Sequence, residues 1–211
     1  MSSQQYIDIV QQAKFSTIGK LNANTKQVWI VLHGYGQLSQ YFIRKFSILS
    51  ENGHFVIAPE ALSKFYLSEN SQRVGATWMT KEDRLNDIEN YIRYLNTLYD
   101  SFDFSDNQNV TVLGFSQGAA TASRWLAHGH VHADRLLLWS GIFPPDMDII
   151  NARDSLINTE VYNIYGSEDP YLNEEKRDEQ RKIIEQLQLP TKHITFKGVH
   201  DIDTKTLSLF K

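Results

Sequence analysis

The chain of 211 residues contains no cysteine. This absence excludes disulfide bridges, zinc sites built on cysteine and a cysteine nucleophile. Apolar runs are short, and none approaches the roughly 18–20 residues that a membrane-spanning helix needs. The opening stretch, MSSQQYIDIV, lacks both the basic start and the apolar centre of a secretory signal. We therefore expect a cytoplasmic protein without stable membrane insertion.

An excess of positive charge is also missing. Lys and Arg number 21 against 25 Asp and Glu, which gives a formal net charge of -4. A nucleic-acid partner is not expected, because such surfaces carry clustered basic residues. Hydrophobic residues make up 41% of the chain, enough for a full core. The length predicts a single domain over residues 1–211, as a monomer or a homodimer.

Continuous apolar runs that end in glycine or in polar residues predict strands buried on both faces, as in a parallel sheet. They are VWIVLHG (28–34), HFVIAPE (54–60), NVTVLGF (109–115), RLLLWSG (135–141), EVYNIYG (160–166) and KHITFKG (192–198). Near the N-terminus, QYIDIV and KFSTIGKL alternate apolar and polar residues, which predicts a half-exposed antiparallel hairpin at one edge.

Helical patterns separate these strands. They cover residues 41–53, 81–100, 116–128 and 173–189, and the second carries an apolar stripe with a period near 3.6. Alternation of strands with helices predicts an α/β fold, with a mostly parallel central sheet and helices on both faces. Ligands of such sheets bind beyond the carboxyl ends of the strands, so polar residues there are the candidates for function.

The sequence GFSQG places Ser116 between two glycines, where a predicted strand gives way to a predicted helix. The pattern GxSxG in this context is typical of a nucleophile elbow, a strained turn that exposes a serine hydroxyl. Glycine is needed on both sides because a side chain there would collide with neighbouring backbone. The alternative interpretation is a plain tight turn without chemistry.

A serine hydroxyl needs a base to become a good nucleophile. His200 and Asp169 follow predicted strands and complete the order serine, acid, histidine that known triads use. His193 lies inside a strand pattern, and Glu168, next to Asp169, would point elsewhere. The three histidines at 128, 130 and 132 precede the expected position of the base, and we do not expect them to bind a metal.

The tetrahedral intermediate of acyl transfer also needs hydrogen-bond donors for its oxyanion. We expect one donor to be the backbone N–H of Gln117, the residue after the candidate nucleophile. The second should come from the loop HGYGQ (33–37), with the N–H of Tyr35 preferred and that of Gly36 as the alternative. The alternative interpretation of this loop is a helix start that binds nothing.

The pieces VLHGYGQ, LGFSQGAA, RLLLWSG, YGSEDPYL and GVH together resemble the carboxylesterase/phospholipase branch of the α/β-hydrolase superfamily, which includes acyl-protein thioesterases. The resemblance implies an α/β-hydrolase fold with Ser116 as nucleophile, Asp169 as orienting acid and His200 as base. Residues 73–84 match a loop that lines the acyl pocket in this family, so Trp78 and Met79 are candidates for substrate contacts, with a place in the core as the alternative.

These observations lead to the hypothesis of a serine hydrolase that cleaves carboxylic esters or thioesters of small molecules or lipids, without a cofactor or a metal. Two other hypotheses stay open. The fold could serve as a ligand-binding protein with an idle triad, or the enzyme could transfer the acyl group to an alcohol instead of water.

Overall fold

The computed structural model describes residues 3–70 and 72–211. Met1 and Ser2, the first residues of the stretch that lacks the features of a secretory signal, lie outside the described residues. The strands are β1 (Phe15–Ile18), β2 (Gln27–Leu32), β3 (Phe55–Pro59), β4 (Ser63–Tyr66), β5 (Val74–Thr77), β6 (Asn109–Phe115), β7 (Arg135–Trp139), β8 (Glu160–Gly166) and β9 (Thr191–Phe196). The helices are α1 (Ser39–Phe42), α2 (Ser47–Ser50), α3 (Arg84–Asp100), α4 (Gln117–Ala127), α5 (Ile149–Leu156), α6 (Glu174–Leu187) and α7 (Thr204–Leu207), with 3₁₀ turns at Ile43–Phe46 and Ser208–Phe210.

The central sheet has the strand order β1-β3-β2-β6-β7-β8-β9. Every neighbouring pair is parallel except β1 with β3, which is antiparallel. The chain adds strands to one side after β2 and to the other side from β6 onward, so the order reverses between these two strands. Such a reversal opens a crevice at the carboxyl ends of the two strands, where α/β folds bind ligands.

Both faces of the sheet are covered, because strand side chains alternate in direction. Val28, Ile30 and Leu32 of β2 belong to the core cluster that also contains the buried faces of α3, α4, α5 and α6. Trp29 and Val31 belong to the opposite cluster, formed with α1, α2 and the C-terminal segment. The predicted parallel sheet with helices on both faces and an antiparallel N-terminal edge is thereby confirmed.

The predicted N-terminal hairpin is wrong. Residues 3–13 form no strand, and β1 instead pairs with β3, Phe15 opposite Pro59 and Ile18 opposite Val56. The helix expected over 41–53 is broken into α1, a 3₁₀ turn and α2. β4 and β5 form a two-stranded sheet that the sequence pattern did not indicate, in which Lys64 lies opposite Ala76. Among the helices of residues 3–70 and 72–211, none combines the length and apolar character that crossing a bilayer requires.

Candidate active site

Ser116 occupies the turn between β6 and α4. Its backbone has φ 54° and ψ -116°, a region that residues with a side chain rarely adopt. The Ser116 N–H donates to the carbonyl of Trp139 on β7 at 2.9 Å, and its own carbonyl accepts from the N–H of Ala119 at 3.0 Å. The neighbouring strand and the first turn of α4 therefore hold the strained conformation in place.

The glycines around Ser116 are required by space. A Cβ atom at Gly114 would lie 2.2 Å from the carbonyl oxygen of Gly118, and one at Gly118 would lie 2.2 Å from that of Leu32. Both distances are far inside van der Waals contact, and both collisions are with backbone, which cannot move aside as a side chain can. The predicted strand-turn-helix with obligatory flanking glycines is thus confirmed.

Asp169 and His200 meet beyond the ends of β8 and β9. The Nδ1 atom of His200 lies 2.8 Å from Oδ2 of Asp169, and the Asp169 side chain is fully buried. The other carboxylate oxygen accepts the backbone N–H of Tyr171 at 2.9 Å. Because an ionised carboxylate can only accept, Nδ1 must carry the proton of a neutral imidazole, which leaves Nε2 as the basic nitrogen.

The imidazole of His200 is held between two aromatic rings. The ring of Phe115 lies 4.9 Å from it and that of Tyr171 4.7 Å, measured between centroids. The next residue, Asp201, accepts the indole N–H of Trp139 through its carbonyl at 2.9 Å. The loop that carries His200 is therefore anchored to β7, the strand that also holds the amide of Ser116.

Ser116 follows Phe115 directly, so it is adjacent to the ring against which His200 packs. Among the hydrogen bonds of the described residues, none joins the Ser116 hydroxyl to His200. The structure thus links the predicted acid and base by a hydrogen bond, and the predicted nucleophile directly follows the residue whose ring packs against His200. Hydrogen bonds of catalytic groups are often long without substrate and tighten when it binds.

The loop over residues 33–37 follows β2 and is held by buried His33. The N–H of Ala61 donates to Nε2 of His33 at 3.1 Å, so the ring proton is on Nδ1, which donates to the carbonyl of Gly34 at 2.8 Å. Burial lowers the pKa of His33 to about 4, although its hydrogen bond to Gly34 and the charge of Glu60 oppose the change. His33 is therefore a neutral structural imidazole at pH 7.

The two candidates for the second oxyanion donor differ in their bonding. The N–H of Gly36 donates to the carbonyl of Ala76 at 2.9 Å, so it is already in use. In residues 3–70 and 72–211, no hydrogen bond uses the N–H of Tyr35 or that of Gln117. These geometries favour Tyr35 over Gly36. The Tyr35 ring is exposed and lies 4.8 Å from the ring of Phe65.

Trp78 belongs to the core, which was the alternative to a substrate contact. Its side chain is 3% exposed, and its indole N–H donates to the carbonyl of His33 at 2.8 Å. Its ring is packed between His33 and Tyr91, and the contact of Trp78 with substrate stays a prediction. Met79 is half-buried, with its sulfur 3.6 Å from Nη1 of Arg124.

The rival histidines lie elsewhere. His193 is exposed on β9, and the three at 128, 130 and 132 are exposed beyond the C-terminal end of α4, whereas Ser116 is at its N-terminal end. His130 binds the carboxylate of Asp100 at 3.0 Å. Among the described residues, no three His, Asp or Glu side chains come together as a metal site would require.

Two comparisons place this chain among known proteins. The family model described as phospholipase/carboxylesterase matches residues 14–211. Among solved structures, esterase PE8 superposes with a TM-score of 0.71 at 17% identity, covering 95% of this chain and 98% of the other. No curated protein matched the sequence.

Two further structures have the same fold. Acyl-protein thioesterase 2 from Zea mays superposes with a TM-score of 0.68 at 16% identity, over 94% of this chain and 96% of that one. A phospholipase/carboxylesterase from Dyadobacter fermentans gives a TM-score of 0.66 at 17% identity, over 96% of both chains. The agreement extends over nearly the whole length of each protein.

Proposed function

The chain belongs to the phospholipase/carboxylesterase family of α/β-hydrolases, and on that premise we propose that it is a serine hydrolase of carboxylic esters, thioesters included. The observation that carries the proposal is the hydrogen bond between His200 and buried Asp169, together with a serine held in a strained strand-to-helix turn. A plain tight turn would need neither the strain nor the oriented imidazole. We further propose that residues 1–211 act as one domain.

In the proposed reaction, Nε2 of His200 takes the proton of Ser116 as Oγ attacks the acyl carbonyl carbon. The oxyanion that forms accepts hydrogen bonds from the backbone N–H groups of Gln117 and Tyr35. His200 then gives its proton to the leaving alcohol or thiol, which departs and leaves an acyl-enzyme. Water, activated by the same imidazole, releases the acid, while Asp169 stays ionised and holds the ring.

Apolar side chains near the proposed oxyanion loop support an ester with an apolar part, from a small molecule or a lipid. Tyr35 packs against Phe65, and Leu67 lies beside Gly36 with its side chain partly exposed. Next to the proposed base, the exposed ring of Tyr171 packs against the imidazole of His200. The side chains of Tyr35, Phe65, Leu67 and Tyr171 therefore offer apolar contacts to the acyl or alcohol part of an ester.

The test is hydrolysis of p-nitrophenyl butyrate by the parent protein and by the Ser116→Ala variant. We expect the variant to lose about a millionfold in kcat, because the residual acceleration over water then depends on binding and the oxyanion donors alone. Ser50→Ala is the matched control, since that hydroxyl bonds only the carbonyl of Ser47. Unchanged turnover in Ser116→Ala would overturn the proposal.

A fluorophosphonate probe tests the idle-fold alternative. We expect covalent labelling at Ser116 in the parent and none in Ser116→Ala; absence of labelling in the folded parent would favour a ligand-binding role. Product analysis with added alcohol separates hydrolysis from acyl transfer. The acid as main product supports hydrolysis, whereas a new ester as main product would replace it with acyl transfer.

A further inference from the structure

One short segment contacts both loops that carry the proposed oxyanion donors. We call residues 75–79, the end of β5 and the two residues after it, the bridge segment. Ala76 accepts the N–H of Gly36 at 2.9 Å and donates its own N–H to the carbonyl of Gln37 at 3.2 Å. This antiparallel pairing fixes the loop that contains Tyr35 to the bridge segment.

The bridge segment is fixed at its other end by the side chain of Gln117. The side-chain oxygen of Gln117 accepts the backbone N–H of Trp78 at 3.1 Å. Its Nε2 donates to the carbonyl of Met79 and to the hydroxyl of Thr77, both at 2.9 Å. The Thr77 hydroxyl in turn donates to the Met79 carbonyl at 2.8 Å. Every polar atom of the Gln117 amide has a partner, in one orientation only.

Close packing leaves the bridge segment little freedom to shift. A Cβ atom at Gly75 would lie 2.5 Å from the carbonyl oxygen of Gly36, so the two backbones are in direct contact there. The indole of Trp78 donates to the carbonyl of His33, where the oxyanion loop begins. A displacement of the bridge segment would therefore move the loop that carries Tyr35.

We propose that the Gln117 side chain is a positioning residue that sets the distance between the two oxyanion donors, by fixing the bridge segment to the start of α4. The inference rests on the proposed function, because it concerns the same site. The backbone N–H of Gln117 would act on the oxyanion directly, and its side chain would place the other donor. The backbone and the side chain of Gln117 would thus together determine the positions of both oxyanion donors.

Misplaced oxyanion donors should destabilise the transition state more than they weaken the binding of the ester. Oxyanion donors act fully only when they lie within hydrogen-bond distance of the developing charge, and a displacement of about 1 Å can cost a hundredfold in rate. An ester in its ground state depends less on them. Loss of the Gln117 side-chain bonds should therefore lower kcat and leave KM nearly unchanged.

The experiment uses Gln117→Met, which keeps the length and adds no charge near the oxyanion. With p-nitrophenyl butyrate we expect kcat to fall about 10- to 100-fold while KM changes less than about threefold. The inhibition constant of butylboronic acid, a tetrahedral analogue, should rise by a similar factor. Thr77→Val should act in the same direction, and Thr77→Ser, which keeps the hydroxyl, should recover most of the loss.

Gln108→Met is the matched control. The Gln108 side chain also accepts a backbone N–H, from Ser105 at 3.1 Å, and donates to a backbone carbonyl, that of Asn22 at 3.4 Å. It precedes β6, at the end opposite to Ser116. We expect Gln108→Met to lower the melting temperature without changing kcat or boronate affinity.

The outcomes separate this inference from the proposed function. If Ser116→Ala abolishes turnover but Gln117→Met and Thr77→Val retain the parent kcat, the positioning role is refuted and the serine mechanism stands. A rise in KM with constant kcat would also refute it, because it would assign the side chain to substrate binding. If Ser116→Ala retains turnover, both proposals fail.

Discussion

Acidification should destabilise this fold through the buried imidazole of His33. Burial lowers its pKa in the folded protein to about 4, from 6.5 in an exposed residue. Between those two values the unfolded chain binds a proton that the folded protein does not. The free energy of unfolding must therefore fall as the pH is lowered through this window, and the stabilising contribution is complete only above 6.5.

The size of the effect follows from the two pKa values. They differ by about 2.5, and one pKa unit corresponds to 1.36 kcal/mol, so the loss at pH 4 amounts to about 3 kcal/mol for His33. Domains of this kind are stable by about 5–15 kcal/mol, so such a loss is readily measured. His54 adds to it in the same direction, because burial and then the charge of Arg135 lower its pKa.

Urea unfolding of the parent and of His33→Gln between pH 4.5 and 7.5 isolates the contribution of His33 to the pH dependence of stability. Glutamine can donate to the Gly34 carbonyl and accept from the Ala61 N–H, but it does not titrate. His54 and the carboxylates contribute equally to both proteins and cancel. We expect the stability advantage of the parent over the variant to shrink by about 2–3 kcal/mol on acidification. Parallel curves for the two proteins would refute the reasoning.

Two further substitutions test the site. Gly118→Ala should lower the free energy of unfolding by about 2–3 kcal/mol, because the added Cβ would collide with backbone. At Gly53 an added Cβ meets no atom, so Gly53→Ala should cost only about 1 kcal/mol, for the positive φ of that residue. Equal urea midpoints for the two variants would contradict this prediction. Trp139→Phe removes the indole bond to Asp201 and should lower kcat about tenfold, whereas Trp125→Phe, which loses a similar bond far from the site, should not. Equal kcat values in the two variants would assign the Trp139 bond to stability alone.

The strands of the central sheet could be predicted because burial on both faces leaves a clear mark in the sequence. The runs at 109–115 and 160–166 agree residue for residue with β6 and β8. The alternation in QYIDIV was misleading, since alternation only makes a segment suitable for a half-exposed strand and does not supply a partner. β1 pairs with β3 along one edge, and residues 3–13 do not pair with its other edge.

The site was predictable where chemistry depends on residue type and position along the chain. The meeting of Asp169 with His200 follows from the shared edge to which β8 and β9 deliver them. The bonding of Gly36 could not be foreseen, because it depends on pairing with Ala76, forty residues away in a strand without an apolar run. The burial of Trp78 has the same origin, since its indole partner is a carbonyl at the end of β2.

The two outer strands of the sheet also affect how the protein behaves at high concentration. An unpaired strand edge invites edge-to-edge association with other molecules, and natural proteins discourage this with short outer strands, lysine and proline. Here β1 has four residues, and β9 has six, with Pro190 just before it and lysines at 192 and 197. The sheet therefore ends in strands poorly suited to growth into a fibril.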